Sequence, residues 1–148
     1  ALITDMDVFA SYCVTYEQMA SNGHAQVRVR PRSGVCQERG HVVDLSAHVA
    51  GPVVIEPGTN DAFESERVRF AVSSLLHPRI AFEYDMRQRT LEVLEATEAP
   101  GLAVDDYAVY RVHTAGGVPM TLAHQKGLPL DGSSPMLLHV YGAYGVNL

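Results

Sequence analysis

Tyr12-Cys13-Val14-Thr15, followed after a turn by Gln26-Val27-Arg28-Val29, has a counterpart further along the chain. There Phe70-Ala71-Val72-Ser73 is followed, again after a turn, by Ile80-Ala81-Phe82-Glu83. In each hairpin apolar and polar residues alternate with the period of two that marks a strand with one buried face. The first turn, Ala20-Ser21-Asn22-Gly23-His24, carries the Asn-Gly pair that supplies positive φ. The two copies lie about 50 residues apart, the size of one four-stranded propeller blade. A β-sandwich built from two unrelated hairpins would show the same alternation. The two readings differ physically, because a sandwich stands alone whereas a blade buries its faces only against neighbouring blades.

Working outward, Val8, Ala10, Tyr12, Val14 and Tyr16 read as one side of a continuous alternating strand. Val27 and Val29 alternate with Arg28 and Arg30, which reads as a solvated strand face, and Pro31 ends that strand. His41–Leu45 and Pro52–Ile55 are shorter apolar runs, and Pro57-Gly58-Thr59-Asn60-Asp61 is a loop. Alternation returns at Arg67–Val72, at Arg79–Tyr84 and at Leu91–Glu95. Glu98-Ala99-Pro100-Gly101 is a break that reads as a domain linker. Beyond it lie strand-like runs at Tyr107–Val112 and Val118–Ala123. The run Met136-Leu137-Leu138-His139-Val140 is continuously apolar, as expected for a parallel strand buried on both faces, and leads into Tyr141-Gly142-Ala143-Tyr144-Gly145.

With 47% hydrophobic and 19% charged residues in 148, the chain can build a core. Seventeen acids against eleven Lys and Arg give a net charge of −6, which argues against nucleic acid or an anionic membrane as partner. There is no membrane span and no secretory signal pattern. Cys13 and Cys36 lack the spacing of a zinc site, so the expectation is a cytoplasmic protein with reduced thiols, without metal or cofactor. The start at Ala1 and the end at Val146-Asn147-Leu148, just past an apolar run with no crossover helix, suggest a piece of a longer protein.

Candidate chemistry is sparse. No window fits the G-x-S-x-G of a nucleophile elbow, and Ser133 and Ser134 read as turn residues. The seven histidines show no HxH or HExxH spacing. Asp105-Asp106 reads as a solvated loop and Glu64-Ser65-Glu66-Arg67 as a charged turn. The glycine-rich loop at Tyr141 is the remaining candidate, since a donor held at the end of a buried strand can face a developing oxyanion. From spacing alone, a tight turn with two packed tyrosines is the favoured reading.

Taken together, Val118-Pro119-Met120-Thr121-Leu122, Lys126-Gly127-Leu128, Asp131-Gly132-Ser133-Ser134-Pro135 and Tyr141-Gly142-Ala143-Tyr144-Gly145 resemble the prolyl oligopeptidase family of serine peptidases, nearest its oligopeptidase B branch. Asp5-Met6-Asp7-Val8-Phe9, Arg69–Leu75, Phe82-Glu83-Tyr84-Asp85 and Pro100-Gly101 are similar to that branch too, in the same order. The resemblance implies a mainly β chain: the last blades of a β-propeller over residues 1–99, then the first strands of an α/β-hydrolase domain over 100–148. It further implies that the catalytic Ser, Asp and His lie outside these residues, so that the 148 residues alone are inactive. The family's oxyanion-hole tyrosine falls on Tyr141, and the aromatic bordering the substrate pocket on Tyr144. His139-Val140 stands where the family loop begins with Tyr-Gly. The implied function is hydrolysis of short peptides after Arg or Lys by Ser-His-Asp acyl transfer, with the rest of the same polypeptide as the other partner. Two other readings stay open: a non-catalytic all-β binding module, and prolyl endopeptidase specificity within the same family.

Overall fold

The computed structural model describes residues 1–19, 21–32 and 40–141. Two four-stranded antiparallel sheets and one hairpin account for all the strands among them. The first sheet runs in simple order through β1 (Leu2–Val8), β2 (Tyr12–Gln18), β3 (Ala25–Pro31) and β4 (His41–Val42). The second repeats that order with β5 (Val54–Pro57), β6 (Arg67–Ser73), β7 (Ile80–Asp85) and β8 (Thr90–Ala96). From Tyr12 to Arg67 and from Ala25 to Ile80 is the same 55 positions, so the repeat seen in the sequence is a structural one. Each sheet is an up-and-down meander, the form of a propeller blade. A short 3₁₀ turn at Val104–Asp106 leads into β9 (Tyr107–His113), which among the described residues pairs only with β10 (Pro119–Gln125).

The alternation explains how the blades stack. In the first blade Val14 and Tyr16 of β2 lie opposite Val29 and Val27 of β3, so all four face one way. In the second, Val68, Phe70 and Val72 of β6 lie opposite Tyr84, Phe82 and Ile80 of β7. These two apolar faces, with Phe9, Val43, Val49 and Met86, form one continuous buried cluster. The Phe70 and Phe82 rings form a directly opposed pair with centroids 5.7 Å apart, and His48 meets the edge of Phe82 at 5.3 Å. Burying each large apolar side chain here contributes roughly 1.5–3 kcal/mol.

Three expectations are corrected. The strand read as continuous from Val8 to Tyr16 is two strands, because the chain reverses at Phe9, whose N–H donates to the Tyr12 carbonyl at 2.9 Å. The reversal sends Val8 to the opposite face from Val14, beside Cys13, and puts Asp7 beside Val14. The run His41–Leu45 narrows to a two-residue strand, and Pro52–Ile55 shifts to Val54–Pro57. Met136–Val140 is not a buried strand: it has no regular secondary structure and pairs with no strand among the described residues, with Leu137 92% exposed. An apolar run makes a buried strand only where flanking strands and covering helices exist, and none of the described elements supplies them.

Because Phe82 is fully buried where the two blades meet, Phe82→Ala is expected to destabilise the protein by about 3–5 kcal/mol. Urea unfolding followed by circular dichroism measures this. A loss under 1 kcal/mol would mean that the two sheets do not share a core in solution.

Candidate functional site

The polar phase of each hairpin builds a charged cage. On β2, Thr15 and Glu17 point away from the core, as do Arg28 and Arg30 on β3. Glu17 Oε1 accepts hydrogen bonds from Thr15 Oγ1 and Arg30 Nη2, both at 2.8 Å. Its Oε2 accepts from Gln26 Nε2 at 2.7 Å and Arg28 Nε at 3.1 Å. Arg30 Nη1 also donates to Thr15 Oγ1 at 2.6 Å, which orients that hydroxyl toward the carboxylate. The Glu17 side chain keeps only 3% of its exposure. Such burial raises a carboxyl pKa, but the bonds from Arg30, Gln26, Thr15 and Arg28 outweigh it and hold Glu17 down at about 2. Arg28 and Arg30 are therefore not the solvated strand face expected from the sequence.

The second blade carries the same device with the strands exchanged. The carboxylate is Glu83 on β7 and the two arginines are on β6. Arg67 Nη1 reaches Glu83 Oε1 at 2.7 Å, and Arg69 Nε reaches Oε2 at 2.8 Å. Hydrogen bonds from Arg69 and then Arg67 hold Glu83 below the usual carboxylate range. The matched phase of opposite charges on paired strands was the signal available in the sequence for both cages.

Other polar contacts tie one blade to the next. Tyr16 Oη and Asn60 Nδ2 both donate to Asp7 Oδ2 at 2.8 Å. Asn60 also accepts from the Arg69 N–H at 2.8 Å and donates to the Arg69 carbonyl at 2.9 Å. One side chain thus joins β1 of the first blade to β6 of the second. Burial, then the bond to Asp7, pushes the Tyr16 phenol well above its ordinary value, so it remains a donor at every ordinary pH. His41 Nε2 lies 2.8 Å from Tyr84 Oη. Burial, then the nearby Arg89 charge, lowers the His41 pKa. An open cleft of about 420 Å³ lies beside this junction, lined by Phe9, Asn60, Asp61, Arg67, Arg69 and Glu83 among others. Its arginines are already engaged by Glu83, so its lining presents polar contacts and no assembled acid–base pair.

The residues singled out by sequence are not gathered into a site. Tyr141 is the last described residue, 49% exposed after the apolar run Met136–Val140. Tyr144 lies outside the described residues, as does Cys36. Ser133 donates to Asp131 Oδ1 through both its hydroxyl, at 2.6 Å, and its N–H, at 3.0 Å, which is a turn role as expected. His77 bonds Ser74 and His124 stacks edge-on to Tyr110. Among the described residues no group of three His, Cys, Asp or Glu is placed to hold a metal ion. No helix there is long and apolar enough to cross a membrane.

No family model matches the chain. Individual proteins do. The chain is 25% identical over 150 residues to a prolyl endopeptidase-like protein of Xenopus laevis, a match that spans 99% of this chain. It is similar to the prolyl endopeptidase and oligopeptidase B peptidases. A prolyl endopeptidase of Elizabethkingia meningoseptica is 25% identical over 101 residues, covering 62% of this chain and 14% of that protein. Among solved structures, oligopeptidase B of Trypanosoma brucei with covalently bound antipain superposes on 86% of this chain with a TM-score of 0.68 at 16% identity. That agreement establishes the blade fold. The chain spans 20% of the length of the Xenopus protein and 19% of the trypanosomal one.

The cages make stability depend on pH in a defined direction. Glu17 is held at about 2 against an ordinary 4.5, so its contribution is full above pH 4.5 and is lost as pH falls from 4.5 toward 2. The shift corresponds to roughly 3 kcal/mol. Urea midpoints measured from pH 7 to pH 2 should fall steeply in that window for the native protein. Glu17→Gln is expected to be less stable by about 1–3 kcal/mol at pH 7 and to show a shallower acid limb. An identical acid limb in the variant would refute the cage as its source.

Proposed function

We propose that these residues are part of a serine oligopeptidase that hydrolyses short peptides, with preference for Arg or Lys before the scissile bond. The observation that carries this reading is the similarity along 99% of the chain to a prolyl endopeptidase-like protein, joined to a two-blade structure that superposes on oligopeptidase B. In this reading residues 1–99 are the last blades of a propeller. Residues 100–148 enter an α/β-hydrolase domain, whose Ser, His and Asp lie elsewhere in the polypeptide. The reaction is acyl transfer: Ser attacks the scissile carbonyl, His takes its proton and returns it to the leaving amine, and Asp orients the His. Tyr141 donates its phenolic hydrogen to the tetrahedral oxyanion, and Tyr144 borders the pocket for the substrate side chain. The basic preference rests on motif order near oligopeptidase B, and the net charge of −6 is consistent with attraction of basic peptides. The reading also places the protein in the cytoplasm.

The test uses the full-length protein. Tyr141→Phe is expected to lower kcat by about a hundred- to a thousandfold with little change in KM, since an oxyanion donor acts on the transition state. Fluorogenic peptides ending in Arg or Lys are expected to be cleaved faster than a Pro analogue, and residues 1–148 alone to show no turnover. An unchanged kcat removes Tyr141 from the mechanism. Faster cleavage after Pro transfers the specificity to the prolyl endopeptidase type, and turnover by the 148 residues alone rejects the reading.

A further inference from the structure

The β9–β10 hairpin touches the first blade through two loops at the same end of it. One is the β2–β3 turn and the other the loop between β4 and β5. At the first, Arg111 of β9 donates through Nη1 to the Asn22 carbonyl at 3.1 Å and through Nη2 to Thr121 Oγ1 of β10 at 3.1 Å. The neighbouring Gly23, at φ +65°, leaves room for the guanidinium: a Cβ there would lie 2.5 Å from Nη1. At the second, Val109 packs on Gly51, where a Cβ would lie 3.3 Å from Val109 Cγ1. One contact is polar and the other apolar. Arg111 Nε is buried without a hydrogen-bond partner, and among the described residues no carboxylate pairs with this guanidinium.

We propose that Arg111 is a positioning residue that latches the 107–125 hairpin, and with it the segment running on to Tyr141, to the end of the first blade. Charge-assisted bonds to neutral acceptors are strong enough to hold an element in place. A guanidinium with one buried donor left over is held less firmly than a fully satisfied one. The Val109–Gly51 contact alone fixes a point and leaves the hairpin free to turn about it. Arg111, reaching the blade on a second loop, fixes the angle. The inference is independent of the peptidase reading, since it concerns how the hairpin is held and not what the protein cleaves.

A two-stranded hairpin is marginally stable by itself. The amides of β9 and β10 therefore report whether the hairpin is docked. In hydrogen exchange on the whole chain, Arg111→Met is expected to speed exchange of the β9 and β10 amides about tenfold or more. The amides of β6 and β7 should be unaffected. Arg111→Lys, which keeps a cationic donor, should recover part of the protection. Hairpin protection equal to the native protein, or an equal loss across the blades, overturns the latch. Should Arg111→Met fail to fold, Gly23→Ala tests the same contact with Arg111 retained, by pressing a methyl against the guanidinium. It is expected to speed hairpin exchange selectively, and unaltered hairpin exchange would likewise overturn the proposal.

Discussion

The apolar face of one sheet pressed on the apolar face of the next is the constraint on which everything else in this chain depends. Neither sheet has a core of its own. Val14, Tyr16, Val27 and Val29 are buried because Val68, Phe70, Val72 and Phe82 complete the same cluster. A four-stranded meander has two faces and can shield only one of them with a single partner. The alternation of side chains therefore divides each blade into an interface and a remainder, and the remainder must be made tolerable by other means.

Those means differ between the blades. On the first, the far face carries Ile3, Met6 and Val8 of the edge strand, all largely exposed, beside the Glu17 cage. On the second, it carries Arg67, Arg69 and Glu83, with Glu92 and Glu95 on the neighbouring strand. A buried carboxylate surrounded by four donors is costly to break and contributes little beyond an apolar replacement, so its value is in geometry. It locks the register of β2 against β3, and the twin cage locks β6 against β7. A one-residue slip would turn each cage toward the core, where its charges would meet Val and Phe. The apolar core and the polar cages thus specify the same pairing from opposite sides of the sheet.

This explains which features could be read from the sequence. Hairpins β2–β3 and β6–β7 were legible because interface and cage residues keep strict phase within each strand. The reversal at Phe9 was not, because Val8, Ala10 and Tyr12 continue the period of two straight through the turn, without a Gly or Pro to interrupt it. The first cage was misread as solvated because Arg alternating with Val looks the same whether the charge meets water or a buried Glu17. Only the pairing of two strands, a long-range fact, separates the two cases. Met136–Val140 failed for a related reason. Its composition states what it can tolerate, burial on both faces, whereas its actual state depends on strands that are not among the described elements.

The same distinction governs the candidate chemistry. Tyr16 and Tyr84 show what the blades ask of a phenol: Tyr16 is held by Asp7 on the neighbouring strand of its own blade, and Tyr84 by His41 of the other blade. Such tyrosines are structural, and their hydroxyls are already committed. Tyr141 is different, since it has no hydrogen-bond partner among the described residues and follows the exposed apolar run Met136–Val140. A phenol in that position has a donor to offer. What turns a spare donor into an oxyanion stabiliser is a nucleophile fixed within reach of the same carbonyl. In the blades the buried polar groups Glu17, Glu83, Tyr16 and Tyr84 are already engaged, and what they hold is the pairing of strands and sheets.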